Sequence, residues 1–405
     1  MEIKAAGILV IIGIALFSTT TRVECIPRRG LTETVFDITK FGAKPSGEGD
    51  SAMAMIRAWN EACKSTEAAK VVIPKGTFKA GEVVFQGPCT APKPIVVEIQ
   101  GTLEASTDLS DFSSNYWIEF EHVDGVEVTG GGTLNGLGEQ VWKFAESGEK
   151  VKGGPLLPVS LIFQAVKDSS LHDLNFVNSK GFHIKVSDCS EIDVSNLKIT
   201  APGYSPNTDG IHISGSTNVN VTELDIGTGD DCVSIGDGVN NLLVTKVTCG
   251  PGHGLSVGSL GKRENEDSVK GVVVKNCTLT GTTNGARIKT FRASPKLEAA
   301  SITFEDIIMQ NVTNPIIIDQ DYSSKDKIEP SNVKLSDVHF RNIRGTAAIK
   351  NPAITLTCSQ AYPCDGVELT DIDIAPVEGA DGDLKPSSCL NAKTVLKGKQ
   401  NPPAC

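Results

Sequence analysis

Asp209-Gly-Ile-His-Ile213, Asp231-Cys-Val-Ser-Ile235, His253-Gly-Leu-Ser-Val257 and Asn284-Gly-Ala-Arg-Ile288 can be laid over one another, recurring after 22, 22 and 31 residues. The same frame extends outward to Lys180-Gly-Phe-His-Ile184 and to Asn314-Pro-Ile-Ile-Ile318, so six units share a register. Self-similarity at such intervals marks a solenoid, in which each unit buries its apolar face only against its neighbours. The third and fifth residues of every unit are apolar, as in Ile211/Ile213, Val233/Ile235 and Leu255/Val257. That two-residue period belongs to a half-buried strand. The expected fold is all-β: a single-stranded parallel β-helix.

Coils of such a helix stack at roughly 4.8 Å, so equivalent residues of successive units form a column. Asp209, Asp231 and His253 are then vertical neighbours. Arg287 and Lys289, in the next unit, are expected to face outward on the same sheet, beside the acids. The wider composition agrees: aromatic residues make up only 5% of the chain, and Gly, Asn, Val, Ile and Thr fill coils and turns. One stretch reads as a helix, Asp50 to Ser65, where Ile56, Trp59 and Cys63 follow an acidic N-cap candidate; it is expected to cap the N-terminal end of the apolar core.

Lys4, the apolar run Ala5 to Phe17 and the polar Ser18 to Arg22 have the charge, length and flanks of a secretory leader, too short to span a bilayer. The chain therefore divides into a leader, residues 1–24, and one β-helical domain, residues 25–405. Eleven cysteines in a secreted chain imply disulfides. Local spacing favours Cys358 with Cys364 and Cys389 with Cys405. Cys232 and Cys249, near the start of one coil and just before the next, can be bridged, and Cys63 with Cys89 would tie the cap helix down. Cys189 and Cys277 are expected as buried thiols, and the odd count leaves one cysteine unpaired unless Cys25 is removed with the leader or pairs externally. Three sequons, at Asn220, Asn276 and Asn311, fit an extracellular glycoprotein.

A net charge of −11 disfavours nucleic acid and anionic membranes, both of which require a basic face. Capture of an anionic substrate must then rest on local cations: Arg287 and Lys289, with Lys262 and Arg263 as weaker candidates.

Hydrolysis of an acetal between sugars needs a protonated acid at the leaving oxygen and a second carboxylate that activates water or attacks the sugar. Asp209, Asp230 and Asp231 crowd one spot, and mutual repulsion raises at least one pKa, keeping that group protonated. Each residue alone has a plainer reading. Asp209 is a turn-capping aspartate, Asp230-Asp231 a solvated turn or calcium ligands, His253 a surface histidine, and Arg287 and Lys289 polar residues of an amphipathic strand. Their common register argues against coincidence.

The four motifs Asn207-Thr-Asp-Gly210, Gly229-Asp-Asp-Cys232, Gly252-His-Gly254 and Arg287-Ile-Lys289, with Tyr322 following, resemble those of the polygalacturonases, pectin-degrading glycoside hydrolases with a right-handed parallel β-helix. The resemblance covers nearly the whole chain from Val35 onward and is strongest toward plant pollen exopolygalacturonases. It implies cleavage of α-1,4 bonds in polygalacturonate, with galacturonate released from the non-reducing end, in a plant cell wall. It implies that Asp230 is the general acid, that Asp209 and Asp231 hold and deprotonate the water of an inverting displacement, and that His253 keeps the acid protonated. Arg287 and Lys289 would bind the substrate carboxylate, Tyr322 would shape the adjoining sugar site, and Asn207 would help place substrate and water. No metal or cofactor is required, and a monomer is expected.

Inversion rests on the resemblance. One coil of separation, about 4.8 Å, is nearer the short carboxylate distance of retaining enzymes than the roughly 6.5–9.5 Å of inverting ones. Three alternatives stand beside this reading: an endo-acting polygalacturonase, a calcium-dependent lyase that uses Arg287 or Lys289 as base, and a non-catalytic wall-binding solenoid.

Overall fold

Long strands that bend at left-handed residues build most of this molecule. In the computed structural model, which describes residues 33–146, 157–322 and 328–405, strands such as Lys167–Val177, Ser190–Thr200 and Leu297–Val312 turn at Asp173 (φ 55°), Asn196 (φ 49°) and Asp306 (φ 55°). Asp and Asn tolerate this region better than other residues with a Cβ. Side chains at the bends bridge successive coils, Asn196 donating to Asp173 at 2.5 Å and Asn342 to Asp306 at 2.5 Å. The bend divides an 18-stranded sheet into two faces, and an 11-stranded sheet closes the coil. Pairing between successive coils is parallel throughout both sheets of the described residues. The architecture is a right-handed parallel β-helix, with residues Glu33–Cys405 packed as one unit.

The interior is a set of stacked apolar columns. Phe85, Phe120 and Phe163 lie in one column of the smaller sheet, with centroids 4.8 and 5.4 Å apart. Phe304 and Phe340 stack in the larger sheet at 5.5 Å. The expected helix is present as α1 (Ala52–Cys63), shorter by two residues at each end than its sequence signal. Ser51 occupies the N-cap, while Asp50 accepts the backbone N–H of Ala52 at 2.9 Å. Trp59 of α1 is fully buried against Phe85 and Phe120 and donates its indole N–H to the Gln86 carbonyl, which seats the helix on the first coils.

All four expected disulfides are formed: Cys63–Cys89, Cys232–Cys249, Cys358–Cys364 and Cys389–Cys405. Cys189 and Cys277 are free and buried, and burial pushes both thiols up to about 11. Asn220, Asn276 and Asn311 are exposed. The leader and Cys25 lie outside the described residues. No helix among the described residues is long and apolar enough to cross a membrane.

One unit of the repeat is out of place. The strands pair as Ile211↔Val233↔Leu255↔Ala286↔Ile316, as the sequence frame requires. The unit before them does not follow that frame: Ile184 pairs with Ile211 rather than Ile213, a slip of two residues. A two-residue slip keeps every side chain on its own face, so apolar alternation cannot detect it. Its consequence is chemical. Lys185 stands in the column of His212, and Phe182 precedes its strand at the level of Asp209.

Candidate active site

The carboxylates come from turns that immediately precede short strands of the smaller sheet, Ile211–Ser214 and Val233–Ile235. These turns are drawn together tightly. Thr208, fully buried, accepts the N–H of Gly229 at 3.1 Å, and a Cβ on Gly229 would lie 2.0 Å from the Ser205 carbonyl. Gly254 is equally constrained: with φ at +91°, any Cβ there would meet the Asn284 carbonyl at 2.1 Å. Glycines bracket the site residues because neighbouring coils approach to backbone contact.

Asp209 is only 5% exposed and accepts a 2.6 Å hydrogen bond from the Ser234 hydroxyl, one coil along. Asp231, 1% exposed, repeats this relation with Ser256 at 2.9 Å. It also receives Arg287 Nη2 at 2.6 Å and Lys289 Nζ at 2.8 Å. Asp230 is the most accessible of the three. One of its oxygens pairs with His253 Nδ1 at 2.9 Å and takes the Asp231 N–H at 2.8 Å, while the other lies 3.5 Å from Asn207 Nδ2. The backbone N–H of His253 reaches back to the Asp230 carbonyl at 2.7 Å, which locks the two loops together.

The electrostatics separate two of these acids. Burial, then the charges of Asp230 and Asp231, raise the Asp209 carboxyl well above the usual range. Burial pushes Asp230 the same way, but the hydrogen bond and charge of His253, with Lys289, outweigh it and hold this carboxyl below its ordinary value. Burial and like charge thus favour the protonated form of Asp209, while His253 and Lys289 favour the ionised form of Asp230. Donor atoms of Asp230, Asp231 and His253 lie within 4.8 Å of one another. Those of Asp231 are already taken by Arg287, Lys289 and Ser256, and Asp230 by His253, so the protein supplies its own cations to the cluster.

All eight residues singled out from the sequence meet in this region, with two differences of posture. Arg287 and Lys289, expected to project freely into a groove, lean back onto Asp231, and Lys289 lies over the Tyr322 ring at 5.3 Å. Tyr322 itself packs edge-on against Phe291. His183, the outward fourth residue of the sequence frame, instead lies just ahead of the strand Ile184–Ser187 and is fully buried, with Nδ1 3.2 Å from the Asp209 carbonyl; burial depresses its imidazole to about 4. Of the weaker cations, Arg263 is engaged by Asp237 at 2.7 Å, and Lys262 lies 6.0 Å over Phe291. The two serines were missed. Their signal was present, since both fill the outward fourth position of their units, where His212 and Arg287 stand in the coils on either side. A cavity of about 830 Å³ lined by Asp50, Lys79, Glu104 and Asp111 involves none of these groups.

A solenoid groove that gathers three carboxylates, an imidazole and two cations defines a glycosidase of the acid/base kind. The chain belongs to the glycosyl hydrolases family 28, whose model matches residues 63–398. It is 45% identical to "Exopolygalacturonase clone GBGE184" of Arabidopsis thaliana, over 93% of this chain and 90% of that protein. It is 45% identical to a polygalacturonase of Nicotiana tabacum, over 92% of both. Among solved structures, a hyperthermoactive exopolygalacturonase from Thermotoga maritima shares the fold with a TM-score of 0.75 at 19% identity, covering 90% of each chain.

Proposed function

We propose that this protein is a secreted polygalacturonase that hydrolyses α-1,4 bonds between galacturonic acid units and works from the end of the chain. The observation that carries this reading is the Asp209, Asp230, Asp231 and His253 cluster, backed on one side by Arg287 and Lys289. Asp230, the accessible acid, gives its proton to the leaving oxygen. Asp209 and Asp231, held from behind by Ser234 and Ser256, position the water and take its proton. Arg287 and Lys289 serve the cluster first, balancing Asp231, and offer remaining donor capacity to a substrate carboxylate. Tyr322 and Asn207 border the sugar. The names of the relatives support the substrate, and four disulfides with exposed sequon asparagines support secretion.

End-on action is supported by the groove floor. Outward positions there run Glu119, Ile162, Lys185, His212, Ser234, Ser256, Arg287, Ile317 in consecutive coils. Ile162 and Glu119 face outward yet are 1% and 6% exposed, so that end is covered, whereas Ile317 at the other end is half-exposed. Such a floor suits a polymer that enters from the Ile317 side and advances only a short way past the acids.

The raised pKa of the Asp209 carboxyl favours a second assignment, in which Asp209 is the donor. The two assignments separate on substrates that need no acid. With an aryl galacturonide whose phenol departs unaided, loss of the acid costs little, while on an oligogalacturonide it costs about a hundredfold or more. Asp230→Asn is expected to keep far more aryl-galacturonidase than oligomer activity, and Asp209→Asn to lose both alike. The reverse pattern would transfer the acid role to Asp209.

A further inference from the structure

We propose that Lys185 and Phe182 form the site for the terminal sugar, Lys185 binding its carboxylate and Phe182 lying against its ring, on the opposite side of the acids from Arg287 and Lys289. This rests on the polygalacturonase reading above and adds to it a recognition site supplied by an earlier coil.

The register puts Lys185 in the floor column directly beside His212. Two inter-strand steps, about 10 Å, separate it from the strand that follows Asp231. It is half-buried, yet it makes no hydrogen bond and no ion pair among the described residues. Around it, Arg263 opposes its charge, while Asp188 and Asp237 favour it from beyond ion-pair distance. Burial, reinforced by Arg263, lowers its pKa. Every other cation in the floor is paired, Arg287 with Asp231 and Ser256, so Lys185 alone there has its donors open to a ligand. A half-buried ammonium with no partner is costly unless an anion occupies the site during work.

Phe182 completes the site. Its ring is tilted 32° to that of His212 with centroids 5.1 Å apart, and with Leu157, Val159, Gly181 and Asn207 it lines a small hollow. His212 in turn is hydrogen-bonded to Ser234 at 2.8 Å, and Ser234 to Asp209 at 2.6 Å. Burial, with Lys185 and Lys289, depresses the His212 imidazole to about 3, so the ring is neutral and does not compete for the carboxylate. An aromatic face and an open ammonium, joined through His212 to the catalytic acids and next to the covered Ile162, suit one terminal uronic acid residue. A neutral sugar would leave the ammonium unpaired, and so would a methyl ester.

The test compares wild type, Lys185→Gln and Lys185→Arg for hydrolysis of trigalacturonate and for calorimetric binding of free galacturonate. Loss of one charge-assisted contact predicts a KM raised about tenfold to a hundredfold in Lys185→Gln, with kcat within about threefold. Galacturonate binding should weaken in parallel, and Lys185→Arg should recover most of both. Unchanged KM and unchanged galacturonate affinity in Lys185→Gln would overturn the assignment. If wild type hydrolyses no galacturonan, the functional reading itself has failed, and the binding comparison still decides Lys185.

Discussion

At the scale of single residues, two of the three site aspartates are each held by a serine from the next coil, and the third by His253. Ser234 and Ser256 fix the carboxylates of Asp209 and Asp231, and Ser256 also takes the Arg287 Nε–H at 2.8 Å. Ser256→Ala removes a buried donor to a carboxylate and leaves Arg287 short of one acceptor, a cost of about 1–3 kcal/mol. Steady-state kinetics should show kcat/KM lower by about tenfold to a hundredfold with an unaltered circular dichroism spectrum. The opposite shifts of Asp209 and Asp230 make a pH prediction. Asp209 sits above and Asp230 below its ordinary range, so the singly protonated pair prevails between the two apparent pKa values. Activity should peak in mildly acidic solution and decline as rising pH removes the proton from the pair; a pH–rate profile flat from acid to neutral would contradict this. The acids, histidine and cations were legible in the sequence because the motif register pointed at them. The serines were not sought, since a hydroxyl at an outward strand position reads as ordinary surface until its partner is known.

Among elements, what the sequence carries well is periodicity, and what it carries poorly is phase. Four units around Asp209 to Asn284 aligned correctly because each opens with a polar residue and Gly or Cys ahead of its apolar pair. Lys180-Gly-Phe-His-Ile184 imitates that opening, yet Ile184 takes the third position, because backbone pairing and packing, not the Gly, decide the register. Helix α1 was readable from Trp59 and its neighbours, and Trp59→Ala, which empties the space against Phe85 and Phe120, is expected to cost about 3–5 kcal/mol in chemical denaturation. Strands near the C-terminal end are tied by charge. Glu368 accepts Lys397 Nζ at 2.6 Å and Arg341 Nε at 2.8 Å, linking three consecutive strands of the larger sheet. Those bonds lower its pKa from 4.5 to about 2. A lowered carboxylate stabilises above its unfolded pKa and ceases to do so as pH falls through the folded one. Glu368→Gln should therefore have a lower urea midpoint than wild type near neutrality, with the gap closing as pH falls from 4.5 toward 2.

Across the whole molecule, stacking makes the chemistry. Asp209, Asp231, His253 and Arg287 are distant in sequence, and only the parallel register of successive coils assembles them. On the proposed end-on reading, the covered Ile162 beyond Lys185 limits how far a polymer advances. The most direct test is a product time course on polygalacturonate with wild type and Asp230→Asn, following reducing ends, chain length and ultraviolet absorbance together. Saturated galacturonate monomer from the first minutes, with release slowed at least about a hundredfold in the variant, is the predicted result. Unsaturated ultraviolet-absorbing products, or equal release by the two proteins, would contradict the account.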